Sequence, residues 1–270
     1  MYENFYGFKE SPFNMTPDPK FFFPSQKHTE ALDSLTYAIN ERKGFVVITG
    51  EIGAGKTTVC RTLLNRLAAN TKIALIINTY VTAKEMLMAI LDEFGVEYKH
   101  TSKGRLLSRL NEFLIEQLSQ NINLVLIIDE AQNLTPSVLE EIRMISNLET
   151  ETEKLIQIIL MGQPQLKEKL SLPRLEQLRQ RIVVHYHINP LNKDEMVEYI
   201  EHRLKIATSN GFDFFTPAAM ELIYRFSKGT PRLVNIICDS ALLSGYVYEA
   251  KQIDEKIMSE AIKEAPFSKL

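Results

Sequence analysis

Residues 45–57 constrain this chain more than any other stretch. Phe45-Val-Val-Ile-Thr49 is a short, largely β-branched run, and it leads directly into Gly50-Glu51-Ile52-Gly53-Ala54-Gly55-Lys56-Thr57. The spacing is G-x-x-x-x-G-K-[ST] with a strand before it and a helix after it, the setting in which a loop closes round a phosphate. Glycines let the backbone curl until several N–H groups point at one β-phosphate, and the amino end of the following helix adds a field that favours anions. Lys56 brings a mobile positive charge to the β and γ phosphates, and Thr57 a hydroxyl for Mg²⁺. Residues Gly50 to Thr58 therefore form the expected nucleotide-binding set.

A strand that carries such a loop belongs in a parallel sheet. Further apolar runs at 73–77, 124–128, 155–161 and 182–188 alternate with amphipathic segments at 55–69, 82–94, 103–119, 135–147 and 165–180. An apolar stripe at helical spacing, Ala31, Leu32, Leu35, Ala38 and Ile39, predicts a further helix over 29–42. This alternation predicts an α/β fold, five parallel strands with helices on both faces. Asp129-Glu130 follows the run Leu124–Ile128, so both acids emerge at the carboxyl edge, the edge at which the phosphate loop also lies. Asp129 is placed to hold Mg²⁺ through its water shell, and Glu130 to polarise a water for in-line attack on a γ-phosphate. The acid pair shifts the reading from nucleotide binding to hydrolysis. A transition state with charge spread over phosphoryl oxygens also needs cations, for which Arg174, Arg179, Arg181 and Arg232 are the candidates.

The pattern changes after Asn189-Pro190. A capping box, Asn192 with Glu195, opens a helix to about Thr208, Thr216-Pro217 opens another, and Asp254 caps the last. Four helices and no strand make a second domain of residues 189–270, after a core of residues 1–188. Pro12, Pro17, Pro19 and Pro24 exclude a long helix from residues 1–26, which are expected to lie extended. Phe5, Phe8, Phe13 and Phe21 to Phe23 are expected to seal the edge of the sheet.

Charge supplies no partner. The chain carries 31 basic and 34 acidic residues, with 21 and 22 of them up to Ile188 and 10 and 12 beyond it, so neither part is a cationic module. Cys60 and Cys238 stand far apart without a CxxC spacing, as inert buried thiols of a reducing compartment. The longest aliphatic run, Leu124–Ile128, is far shorter than a membrane span needs, and the first residues lack the form of a signal peptide. The expectation is a cytoplasmic chain without a membrane span. Ser268-Lys269-Leu270 matches a peroxisomal address only formally. His185 and His187 alternate on one strand face in the manner of metal ligands, without a third ligand in sight.

Together, the phosphate loop, Asp129-Glu130, Met161-Gly-Gln163-Pro164, Leu178-Arg-Gln-Arg181 and Gly229-Thr-Pro-Arg232 resemble an AAA+ P-loop ATPase, a parallel five-stranded αβα core with a small helical lid. The opening, Phe5-Tyr-Gly-Phe8, Pro12-Phe13, Pro17-Asp-Pro19, His28 and Ala31-Leu32, is similar to the ATPase region of the general secretion pathway protein A family, of the ExeA type. That subfamily includes ATPases of pilus biogenesis and of exopolysaccharide and exosortase loci. The resemblance implies ATP and Mg²⁺ as cofactors and makes Gln163 the polar sensor beside the attacking water. It makes Arg232 the lid arginine that reports on the γ-phosphate, and Arg179 or Arg181 the finger inserted into a neighbour's site. Asn78 would restrain Glu130 until a partner binds, and residues 1–28 would cover the adenine. Full-length members carry a membrane-spanning segment and a periplasmic region after the ATPase, so this chain is either a stand-alone ATPase or an excised domain.

Three functions follow. The first is a Mg²⁺-dependent ATPase, a homo-oligomeric ring or dimer, that drives a protein partner of envelope secretion or pilus-like assembly, its lid turning about residues 188–192. The second is a DNA-acting ATPase of the replication-initiator or transposition-helper kind, disfavoured by the lack of a basic domain. The third is a small-molecule kinase, against which the acid pair and the helical lid argue.

Overall fold

The computed structural model describes residues 1–67, 69–99, 101–150, 153–208 and 213–265. The terminal Ser268-Lys269-Leu270 lies outside the described residues. The elements in chain order are α1 (Tyr2–Tyr6), α2 (Gln26–Asn40), β1 (Phe45–Gly50), α3 (Lys56–Arg66), β2 (Thr71–Ile76), α4 (Ala83–Glu93), α5 (Lys103–Ser119) and β3 (Asn123–Ile128). They continue with α6 (Pro136–Ile145), β4 (Gln157–Gly162), α7 (Gln165–Leu170), α8 (Glu176–Arg179), β5 (Ile182–Ile188), α9 (Lys193–Ala207), α10 (Pro217–Ser227), α11 (Pro231–Val247) and α12 (Glu255–Glu264). By packing, two compact units emerge: Glu30–Ile52 with Thr62–Ile188, and Met1–Thr29 with Gly53–Arg61 and Asn189–Leu270.

The first unit is built on a five-stranded parallel sheet in the order β2-β3-β4-β1-β5. The central strands β1, β3 and β4 are almost wholly buried, as continuous Val/Ile/Leu runs require in a sheet covered on both faces. Leu126, Ile128, Ile158 and Leu160 share one core with Leu87 and Ile90 of α4, Leu110 and Leu114 of α5 and Ile142 of α6. Thr82 caps α4 in a full capping box with Glu85, and Thr135 with Pro136 opens α6. The edge strand β5 alternates, with Val183, His185 and His187 exposed on one face. One expectation changes here. The single helix expected over 165–180 breaks at Leu172-Pro173, where a short 3-10 turn separates α7 from α8, because proline cannot donate to the preceding turn.

In the second unit α9 to α12 enclose a core of Met196, Ile200, Leu204, Ile223, Val234, Ile237 and Met258. Asn192 with Glu195, Thr216 and Asp254 all cap as expected, their side chains accepting from Glu195, Ala219 and Ile257 N–H. The same core takes up Tyr2, Tyr6, Phe8 and Phe13, so these N-terminal aromatics pack on the helices. The segment also holds the short helix α1, which the prolines further on do not forbid. Arg203, 6% exposed, fixes the segment by donating to Pro12 O at 2.5 Å, Asn14 O at 3.3 Å and Tyr199 Oη at 2.9 Å, with its guanidinium over the Phe21 ring. No helix among the described residues is long and apolar enough to cross a membrane.

Candidate nucleotide site

Parallel strands deliver their carboxyl ends to one edge, and here that edge gathers Gly50-Glu51-Ile52 after β1, Asn78 after β2, Asp129-Glu130 after β3 and Gln163 after β4. The register pairs Ile128 with Leu160 and Thr49 with Gly162, so the three central strands end nearly level. Glu130 adopts a left-handed conformation, φ 51°, and its N–H donates to Asp129 Oδ1 at 2.9 Å. Its carboxylate is held from two sides: Oε2 accepts from Gln132 Nε2 at 2.5 Å and from Gln163 Nε2 at 3.1 Å. Gln132 also accepts from Gln163 N–H at 3.0 Å, so one amide aligns both the acid and the polar group expected beside the attacking water. Lys169 donates to the carbonyls of Gln132 and Leu134, and Thr79 donates to that of Glu130.

Asn78 Oδ1 accepts from Tyr80 N–H at 3.2 Å within its own turn, and the Glu130 carboxylate is held by Gln132 and Gln163. Motif reading misses Gln132, which acts only through another side chain. The signal available was an amide two residues beyond Glu130, in a turn that returns its side chain to the strand end.

The rest of the phosphate loop belongs to the second unit. Gly53 and Gly55 have φ of +79° and +97°, a region side chains avoid, and each faces a neighbour that fills the space a Cβ would need. At Gly53 that neighbour is Arg232, whose N–H donates to Gly53 O at 3.3 Å. This N–H is one of the donors that the first turn of α11 cannot satisfy internally, so the loop carbonyl caps the helix. At Gly55 the neighbour is His28, 6% exposed, whose Nε2 donates to Ala54 O at 3.0 Å while Nδ1 pairs with Ser25 Oγ at 2.7 Å. The bond to a carbonyl requires a proton on Nε2, and burial pushes the pKa of His28 below the usual histidine value. In the sequence His28 stands out only as part of the N-terminal pattern.

The loop suits a polyphosphate. Two residues at positive φ shape it, Lys56 is buried at 6% exposure, and α3 begins at Lys56 and runs 11 residues. Thr57 and Asp129 supply a hydroxyl and a carboxylate, the hard oxygen donors that Mg²⁺ prefers.

The candidate arginines separate. Arg174 and Arg179 are exposed, and Arg179 reaches Ser171 O at 3.4 Å, whereas half-buried Arg181 faces Ser146 O and Oγ at 3.4 Å. His185 Nε2 and His187 Nδ1 flank Thr49 Oγ1 at 3.2 and 2.9 Å, and no group of three potential metal ligands occurs among the described residues. Cys60 and Cys238 are buried thiols.

A family model described as "AAA domain" matches residues 39–170. General secretion pathway protein A of Aeromonas hydrophila is 42% identical over 254 residues, which cover 94% of this chain and 46% of that protein. The chain thus spans about half the length of this curated relative. Among solved structures, the ORC2 protein of Aeropyrum pernix superposes with a TM-score of 0.70 at 18% identity, over 96% of this chain and 72% of that one. The RuvB Holliday junction branch migration motor of Thermotoga maritima gives 0.61 at 20% identity, over 93% and 72%. At these identities the two structures speak for the fold, a P-loop α/β core with a helical unit. Over nearly its whole length, then, the chain is similar in sequence to general secretion pathway protein A, and its fold is that of an AAA+ P-loop protein.

Proposed function

We propose that the chain hydrolyses ATP in a Mg²⁺-dependent reaction and that turnover drives a protein partner of envelope secretion or pilus-like machinery. The observation that carries the chemistry is the Glu130 carboxylate, held by Gln132 and Gln163 at the sheet edge where β1 runs into the phosphate loop. Lys56 and the loop N–H groups from Gly50 to Thr58 bind the phosphates. Thr57 and Asp129 would hold Mg²⁺, which supplies charge neutralisation on the β and γ phosphates when bound. Glu130 takes a proton from water as its oxygen bonds to the γ-phosphorus, and the bond to the β–γ bridging oxygen breaks to leave ADP and phosphate. Gln163 orients that water. Arg232, against Gly53, and an arginine from a second copy, Arg179 or Arg181, neutralise charge on the phosphoryl oxygens. The secretion partner is supported by the kinship with general secretion pathway protein A.

Glu130→Gln keeps the shape of the side chain and removes its basicity. Nucleotide affinity is expected to stay near wild type while turnover falls by about 10²- to 10⁴-fold, the usual worth of a positioned base. Turnover at the wild-type rate would remove Glu130 from the mechanism. Salt-sensitive stimulation of the wild-type ATPase by DNA would replace the protein partner with nucleic acid.

A further inference from the structure

The sheet has a second end. Lys43 and Gly44 precede β1, Lys154 precedes β4 and Arg181 precedes β5, so all lie at the amino edge, with the length of β1, about 20 Å, separating them from Gly50. Together with Arg143 and Ser146 from the end of α6 they line an open cleft of about 630 Å³.

Four cations from four separate stretches of chain converge there. Arg143 pairs with Glu140 at 2.6 Å and Lys154 pairs with Glu149. Lys43 lies over the Tyr37 ring, 5.5 Å from its centre, and Arg181 faces only the carbonyl and hydroxyl of Ser146. Among the described residues, carboxylates therefore offset two of the four charges and leave two. Long cationic side chains on an open surface swing apart into water, whereas these are brought together by the strand ends and α6 that carry them. Burial and the nearby Arg181 lower the pKa of Lys154, the response of an ammonium crowded by like charge.

We propose that this cleft is a second oxyanion site, separate from the phosphate loop, and that it takes a phosphate-type ligand carrying two or more negative charges. Two guanidinium forks match paired phosphate oxygens, and the ammonium groups of Lys43 and Lys154 add point charge. The uncompensated charge of two suits a phosphate dianion better than a single carboxylate. Such a phosphate arrives free in solution, as a small polyanion distinct from the nucleotide of a second copy.

Pyrophosphate is the probe. The full chain is saturated with ADP to fill the phosphate loop, kept at constant ionic strength with chloride, and titrated calorimetrically. One pyrophosphate per chain is expected to bind, with affinity reduced about tenfold or more in Arg143→Gln and in Lys154→Gln, the effect of losing a hydrogen bond to a charged group. ADP affinity and the urea midpoint of both variants should match wild type. Uptake by dilute protein is the result expected of a free anion. Absence of uptake, pyrophosphate binding only by dissolving a nucleotide-dependent assembly, or uptake indifferent to both substitutions overturns the proposal. Turnover by Glu130 is not read in any of these measurements, so the two readings fail independently.

Discussion

A single amide ties together the ends of two strands. Gln132 donates to the carboxylate of Glu130 and accepts from the N–H of Gln163, so the proposed base and the group that orients its water share one positioning residue. Misplacing reacting groups by about 1 Å can cost a hundredfold in rate. Gln132→Ala is therefore expected to lower kcat by about ten- to a hundredfold with ATP affinity close to wild type, as read by steady-state kinetics and a fluorescent-nucleotide titration. A variant with unchanged kcat would show that Glu130 holds its position unaided. The residues of the phosphate loop and the acid pair were legible in the sequence because their chemistry fixes both type and spacing. Gln132 and His28 were not, since each acts on the site through a neighbour.

Elements were legible where a local signal fixes their ends. Asn192 with Glu195, Thr216-Pro217 and Asp254 open α9, α10 and α12 as expected because a cap is settled within four residues. The break between α7 and α8 escaped because apolar periodicity runs through Pro173, although the ring removes a donor there. The placement of the N-terminal segment depends on residues far along the chain, and only the folded molecule shows it. Arg203 is its main clamp. Arg203→Leu removes the donor to two backbone carbonyls and to the Tyr199 hydroxyl, which keeps only its bond to Asn235, and should lower stability by about 3 kcal/mol in urea denaturation. A loss below about 0.5 kcal/mol would mean that the aromatics alone anchor the segment.

At the scale of the molecule, burial lowers the pKa values of His28 and His202, so each takes up a proton less readily folded than unfolded. Between the ordinary histidine pKa and the lowered values the unfolded chain binds more protons, so stability present above about pH 6.5 drains away as pH falls. Asp239, whose carboxyl is raised by burial, works in the opposite sense in a lower range. A fall in melting temperature from pH 7.5 to pH 5.5 is expected, smaller in His28→Gln than in wild type. Equal falls would show that His28 titrates normally. The packing of residues 1–29 with α9–α12 has a further consequence, in the order of synthesis. Arg203 closes on Pro12, Asp239 on Tyr2 and Ala250 on Tyr6 across 191, 237 and 244 residues. During synthesis residues 1–29 must therefore wait for α9 to α12, their aromatics uncovered until those helices have emerged, and closures of such long range slow folding.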